Sequence, residues 1–510
     1  MRYRCKTHTH SNLAQSRAKP LAAALAMACA GAIVAGSVMD THAAPTSAHV
    51  ADPSASPRPD GSILWSVTNC NDAGSGSLRN AAMHANHGDG IDLSGLTCST
   101  ISVTTGAITL RDVELSGPGA GQLEISGTGN QNRRIFNHAG GGASLDIRDV
   151  TVSGGKYLSN SGLGGGCLRS TGGSVRIHDS VFRSCMVITP VGQAGNARGG
   201  AIAVYGSGDV RLYDSTIQSS LARTDHGSAA GGGLYAQGAV DMYASTIADN
   251  AVTASATANL FGGGLVTKSS IWMEDSTLDG NTSAGDGGGG VVYGGGVVLR
   301  STISNNHADS GTSGIVVLGH NNAMTNIYSS TVSGNVATAT QHWMSGALFL
   351  NSAISTITNS TITGNSESNL VGTKFGAGIV IGYDAVNVSM LGTIIAGNYF
   401  DDGAPPYADD DIDGPNGLTI LGDTNMVGWA HIPVPSDTLF ESTPRLGPLQ
   451  DNGGPTRSRM PLPDSPAIDH GAAHGFETDQ RGLPRIAGIA ADIGAVESTS
   501  DAIFVNGFES

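Results

Sequence analysis

Arg211 and Tyr213, Asp241 and Tyr243, and Trp272 and Glu274 form three pairs with a spacing of two, set 30 and 31 residues apart. Side chains two apart on a β-strand share a face, so strands of this kind stacked on one another would gather all six into one patch. Aromatic faces beside carboxylates suit sugars, because a ring takes the C–H face of a pyranose while charged groups bond its hydroxyls. Two carboxylates converging on one bond would instead hydrolyse a glycoside, and a lyase would need Ca²⁺ with a basic residue to take the proton beside an acid group. Asp241 and Glu274 are the first catalytic candidates. Asp249 and Asp279 follow, although both fall in turns, where a carboxylate serves equally to cap backbone N–H groups. Tyr and Trp also occupy outward strand positions through propensity alone, so a purely structural role stays open.

What would position these residues is a repeat. Nine apolar markers, Val152, Phe182, Ile217, Ile247, Leu278, Ile303, Val332, Ile362 and Ile395, follow one another at intervals of 30, 35, 30, 31, 25, 29, 30 and 33. A second ladder of glycine steps runs in phase with them, from Gly166-Cys167-Leu168 through Gly232-Gly233-Leu234 to Gly376-Ala377-Gly378-Ile379. A fixed period of this length is the signature of a solenoid. Before each marker the text alternates, as in Val210-Arg211-Leu212-Tyr213, which is strand periodicity with one face buried. Helical stripes are missing and Gly, Ser, Thr and Asn fill the gaps, which excludes leucine-rich, ankyrin and tetratricopeptide repeats. The expected fold is all-β: a right-handed parallel β-helix of about nine or more coils. Asn250, Asn281, Asn306, Asn335, Asn365 and Asn398 recur after the markers. Each is expected at a sharp turn, tolerating left-handed backbone and bonding its amide to a neighbouring coil. Asp149, Asp179, Asp214 and Asp275 recur before the Ser/Thr step, too regularly for one active site, and read as turn residues.

Composition agrees. Of 510 residues 74 are Gly and 5% are aromatic, which suits stacked aliphatics and small turn residues better than a core of large rings. A net charge of −16, from 26 Lys and Arg against 42 Asp and Glu, leaves no cationic face for nucleic acid and disfavours anionic membrane surfaces. Basic residues before an apolar run from Leu21 to Val38 and a small-residue site at Thr41-His42-Ala43 read as a secretory signal peptide over 1–43. No later run is apolar enough to span a bilayer. Cys29 makes a poor lipidation site, since the apolar run continues past it. With Cys5 and Cys29 removed, Cys70, Cys98, Cys167 and Cys185 remain, an even number in an exported chain, and nearest-neighbour pairing gives Cys70–Cys98 and Cys167–Cys185. The scattered histidines have no metal-ligand spacing, and no Ser/His/Asp signature is in frame.

The ends differ from the middle. Residues 44–62, with Pro45, Pro53, Pro57 and Pro59, read as a flexible linker. Residues 63–120 read as an N-terminal cap and first strands, with a short helix over Asn80–Asn86 whose apolar side is Leu78, Ala81, Ala82 and Ala85. A solenoid needs such a plug over its first coil. Repeats occupy 121–400. An acidic loop and transition segment follows over 401–445, where Asp409, Asp410, Asp411 and Asp413 could hold Ca²⁺ or simply be solvated. Residues 446–497, rich in Gly, Pro and Asp, read as a β-rich C-terminal cap or appended module, and 498–510 as a tail without an apolar anchor helix.

These segments carry a resemblance. Gly199-Gly200-Ala201-Ile202 and the Phe182-to-Cys185 step resemble the repeats of polymorphic outer membrane proteins and related bacterial β-helix surface proteins. Gly76-Ser77-Leu78-Arg79-Asn80-Ala81 is similar, without its Cys and Glu, to a Cys-Ser-Leu-Arg-Glu-Ala string near the start of secreted β-helix proteins. Leu446-Gly447-Pro448, Asp451-Asn452-Gly453-Gly454-Pro455, Thr478-Asp479-Gln480-Arg481-Gly482 and Asp492-Ile493-Gly494-Ala495 resemble a choice-of-anchor domain. The resemblance implies an exported protein, extracellular or on the outer cell surface. Three functions are expected in this order: an adhesin-like binder of a polysaccharide or cell-surface glycan, a polysaccharide hydrolase or Ca²⁺-dependent lyase, and a structural spacer. No other cofactor is implied, and a monomer is expected.

Overall fold

Strands of two to five residues between Gly, Ser and Asn turns have too little side chain each to form a sheet alone, and they gain burial only by stacking coil upon coil. The computed structural model describes residues 55–498 except 128–131, 160–161, 257, 321, 339–343, 369–375, 404 and 406. The signal peptide, most of the linker and the tail expected from the sequence lie outside the described residues. The chain winds into a parallel β-solenoid whose coils contribute one strand to each of several sheets, here named one to five, of 14, 13, 10, 11 and 3 strands. One full coil runs Val240–Tyr243 in sheet one, Thr246–Ala248 in sheet two, Ala251–Ala254 in sheet three, Ala258–Phe261 in sheet five and Leu265–Thr267 in sheet four.

The nine markers stack in register, each coil's on the next, in sheet two. All nine are fully buried. Each is worth about 1.5–3 kcal/mol relative to exposure. The glycine ladder is steric: a Cβ on Gly232 would lie 2.5 Å from the Ala251 carbonyl oxygen, closer than side chains tolerate.

The recurring asparagines form one continuous buried ladder. Asn250 Nδ2 donates to Asn281 Oδ1 at 3.0 Å, and the same contact repeats to Asn306, Asn335, Asn365 and Asn398. The amide bonding is as expected, but the left-handed backbone is not at these residues. It falls one position earlier, at Asp249, Gly280, Asn305, Gly334, Gly364 and Gly397. The asparagine side chain must point inward to reach its neighbours, so the residue before it takes the bend. The aspartates before the Ser/Thr step do have positive φ: 57° at Asp149, 45° at Asp179, 47° at Asp214 and 53° at Asp275. Ser220 and then Cys185 continue the asparagine column toward the N-terminus, with Ser220 N donating to Asn250 Oδ1 and Cys185 N to Ser220 Oγ. Both expected disulfides are formed, with Cα–Cα separations of 6.5 Å for Cys70–Cys98 and 5.6 Å for Cys167–Cys185.

Three boundaries differ from the sequence reading. The helix spans Leu78–His84, starting earlier because the Ser77 hydroxyl accepts from Asn80 N and caps it. Ala55–Pro57, read as linker, pairs antiparallel with Ile63–Ser66. The repeat also does not stop at Asn398: Ile412–Asp413, Leu421–Asp423 and Met426–Val427 add another coil to sheets four, one and two. Within it Asp410 and Asp411 are fully buried rather than solvated. Asp411 ends the asparagine ladder, its Oδ1 accepting from Asn398 N at 2.9 Å and Nδ2 at 2.7 Å and its Oδ2 from Trp429 N at 2.8 Å.

Burial pushes the Asp411 carboxyl up to about 7, against the N–H donors that favour its ionised form. Below about 4 the folded and unfolded chains both hold this proton. Between there and 7 only the folded chain does, so the stability from this group is present at low pH and is lost as pH rises through 7. Glu497, pushed by burial up to about 8, acts in the same direction. The urea midpoint is therefore expected to be higher at pH 5 than at pH 8, with a smaller difference in Asp411→Asn. An equal difference in the variant would refute the role of Asp411.

The C-terminal residues, expected to be a β-rich cap or appended module, contain no strand; isolated bridges such as Leu446↔Pro461, Gln450↔Ser458 and Gly471↔Ala491 hold 446–497, whose many Gly and Pro residues interrupt any ladder. They lie along the side of the solenoid over sheet two. Gln480 Nε2 bonds Thr302 Oγ1 at 3.1 Å, Thr331 Oγ1 donates to Gln480 Oε1 at 2.6 Å, and Ala495 N donates to Thr361 Oγ1 at 2.9 Å. Ala467 and Ile493 pack on Ile394 and Met426.

Candidate functional site

Sheet one carries the patch. Val210, Leu212, Val240, Met242, Ile271 and Met273 point into the core, which forces the alternating residues outward. Register then aligns Arg176, Arg211, Asp241, Trp272, Val297 and Asn326 in one row and His178, Tyr213, Tyr243, Glu274, Leu299 and Tyr328 in the next. All six residues expected in the patch are brought together and half-buried. Arg211 Nε holds Asp241 Oδ2 at 3.1 Å, and Trp272 Nε1 donates to Glu274 Oε2 at 3.2 Å, which fixes the indole. Arg300 grips Glu274 at 3.0 Å and Asp275 at 2.8 Å. His178, Tyr213 and Tyr243 stack face to face, with centroids 4.5 and 5.1 Å apart and both interplanar angles 9°. Burial pushes the Tyr243 phenol up and the His178 imidazole down, so near pH 7 both rings are neutral.

Beside the indole is a groove of about 370 Å³, lined by Asp241, Trp272, Gly296, Val297, Met324 and Asn326 among others. Gly295 precedes outward-facing Val297 by two and presents no side chain there, whereas Gly296 pairs with inward-facing Ile271, and a Cβ on it would run into Ile271. Met324 is 57% exposed at its rim. An indole edge, an apolar floor, a carboxylate and an amide are what a pyranose ring with its hydroxyls requires. Asp241 and Glu274 are held by different arginines, so this geometry orders ring faces and charges rather than setting two carboxyls against one bond.

The other candidates are elsewhere. Asp249 lies on the left-handed turn before Asn250. Asp279 Oδ1 accepts from Ser304 Oγ at 2.6 Å and Asn305 Nδ2 at 2.8 Å, a cap on the next coil's turn. Of the acidic segment, Asp409 is exposed, Asp413 caps its own neighbour Gly414 N, and Asp410 and Asp411 are buried. Among the described residues no group of three or more His, Cys, Asp or Glu is placed to hold a metal ion.

Sequence reading missed Arg300, Asn326, Met324 and the two groove glycines. The signal for the glycines and Arg300 was the short interval of 25 between Leu278 and Ile303, which contains Gly294-Gly295-Gly296 and Arg300. It also missed a Ser–His–Asp chain: His138 Nδ1 lies 2.8 Å from Ser170 Oγ and its Nε2 lies 2.9 Å from Asp112 Oδ1. Ser170 and His138 are sealed in the interior, so no substrate reaches that hydroxyl and the chain serves as a packed polar network.

No family model matches this sequence, and no curated protein does. The crystal structure of pectate lyase Pel9A is similar, with a TM-score of 0.39 and 13% identity over 86% of this chain and 98% of that one. A likeness of that size carries nothing about chemistry.

Proposed function

We propose that this chain is an exported β-helix protein that binds a polysaccharide or cell-surface glycan along the outward face of sheet one. The observation that carries the reading is the groove beside Trp272, where an oriented indole, Asp241 and Asn326 border an apolar floor beside Gly295. Two disulfides support export. Among the described residues no helix is long and apolar enough to cross a membrane. Replacing Trp272 by Ala removes the stacking face and is expected to lower retention on a bound glycan by tenfold or more with an unchanged circular dichroism spectrum. Retention equal to the parent would sink the proposal. The competing hydrolase or lyase reading is met by incubating the chain with neutral and acidic polysaccharides, with and without Ca²⁺, and following polymer length by size exclusion. Shortening of any polymer would replace the binding reading with an enzymatic one centred on Asp241.

A further inference from the structure

A second cluster of charged and aromatic groups lies at the corner between sheets three, five and four, in coils preceding the Trp272 groove. Among the described residues most guanidiniums have a carboxylate: Arg58, Arg79, Arg176, Arg211 and Arg300, for example, each form an ion pair. Arg134, Arg169 and Arg198 have none among the described residues, although the chain is strongly acidic. Arg134 is buried, donating to the Gly165 and Gly164 carbonyls at 2.6 and 2.8 Å and lying 4.0 Å over the Tyr157 ring. These partners satisfy its donors without neutralising its charge, which is felt by both Arg169 and Tyr205. Arg198 lies 5.1 Å over Tyr235, whose ring is 5.7 Å from that of Tyr205.

Arg169 stands between Asn137 on one coil and Ala203 on the next. Its Nε is buried with no hydrogen-bond partner. A buried donor without an acceptor is rare in a folded chain and needs an explanation, and with Arg134 beside it and Arg198 acting on the same Tyr205 as Arg134, an anion is the fitting one. Arg169, Arg198 and Tyr205 are each half-buried and so open on one side.

We infer that Arg169 and Arg198, backed by the buried Arg134 and flanked by Tyr205, form a binding site for the acidic group of a carboxylated or sulfated polysaccharide. Guanidiniums match the planar or tetrahedral oxyanion and the phenol ring matches the sugar that carries it. Three cations on a chain of net charge −16 do not make the extended positive track that a nucleic acid backbone needs. The site is on different sheets from Trp272 and stands independently of the function proposed above.

The test is calorimetric titration of the full chain, at pH 7 and low salt, with an oligogalacturonate, with dextran sulfate and with unmodified dextran. One or both acidic chains are expected to bind and dextran not to. Arg169→Gln and Arg198→Gln should each weaken that binding tenfold or more, while Arg445→Gln, on the distant C-terminal segment, leaves it unchanged. Binding of only the oligogalacturonate or only dextran sulfate identifies the acidic group. Failure of both acidic chains to bind, equal binding of dextran, or full affinity in a folded Arg198→Gln variant would each overturn the inference, whether or not Trp272→Ala changes glycan retention.

Discussion

Replacing Asn335 by Ala is expected to destabilise the solenoid by about 3–5 kcal/mol, because buried polar groups left without partners cost about 1–3 kcal/mol each. Asn335 Oδ1 accepts from Asn306 N at 3.1 Å and from Asn306 Nδ2 at 2.9 Å, while its own Nδ2 donates to Ile303 O at 3.0 Å and Asn365 Oδ1 at 2.9 Å. Asn306, Asn335 and Asn365 are all fully buried, so water does not replace what is lost. A solenoid is held by contacts between neighbouring coils, so the loss of amide protection should centre on the coils of Asn306 and Asn365 and fade toward the cap. Asn387, exposed at a strand start, provides the comparison: its replacement by Ala should cost under about 0.5 kcal/mol. Hydrogen exchange with chemical denaturation checks both. Equal effects at the two positions would show that the ladder adds nothing beyond ordinary surface bonding.

Removing the Arg481 side chain should release the C-terminal segment from sheet two, at a cost of about 3–5 kcal/mol for a buried pair broken on one side. Arg481 Nε and NH2 hold Asp479 Oδ2 at 2.9 and 2.6 Å, with side chains 2% and 0% exposed, and NH2 also reaches the Glu497 carbonyl at 2.7 Å. In Arg481→Ala the Asp479 carboxylate stays buried without its cation. Gln480, between the two, then loses its fixed position against Thr302 and Thr331. The expected result is rapid proteolysis within 446–497 and new exchange at the amides of Thr331 and Thr361, with the coils before Thr302 unaffected. Arg445, paired with Asp464 at 3.3 Å with side chains 48% and 70% exposed, should cost at most about 1 kcal/mol when replaced by Ala. If Arg481→Ala behaves like Arg445→Ala, the buried pair does not fasten the segment.

Much of the coil was legible because a solenoid converts sequence period directly into spatial neighbourhood. Residues about 30 apart become lateral partners, so the marker apolar residues announced the inner wall of sheet two, and the spacing of Arg211, Asp241 and Trp272 announced one outward row. The asparagine recurrence announced a ladder for the same reason. Its backbone geometry was misplaced by one residue, since the sequence shows that a turn occurs but not which of two adjacent residues must bend so that the amide faces inward. Within the acidic segment Asp409 is exposed as read, but Asp410 and Asp411 are buried where charge alone suggests solvent. Asp411 is buried because its oxygens end a column of N–H donors that otherwise has no acceptor.

The amino-acid sequence by itself determined the solenoid, its period, its alternating faces and the gathering of aromatic and charged residues on sheet one. All of these depend on local alternation and a constant repeat. Tertiary structure alone decided which carboxylates are spent on arginines, which of the disulfide pairings form, that Gly295 leaves a groove beside Trp272 without a side chain, that Arg169 Nε is buried without a partner, and that residues 446–497 lie along sheet two. Those outcomes depend on which side chains meet across coils of unequal length and on which face a distant segment covers, and neither is encoded in the spacing of residues along the chain.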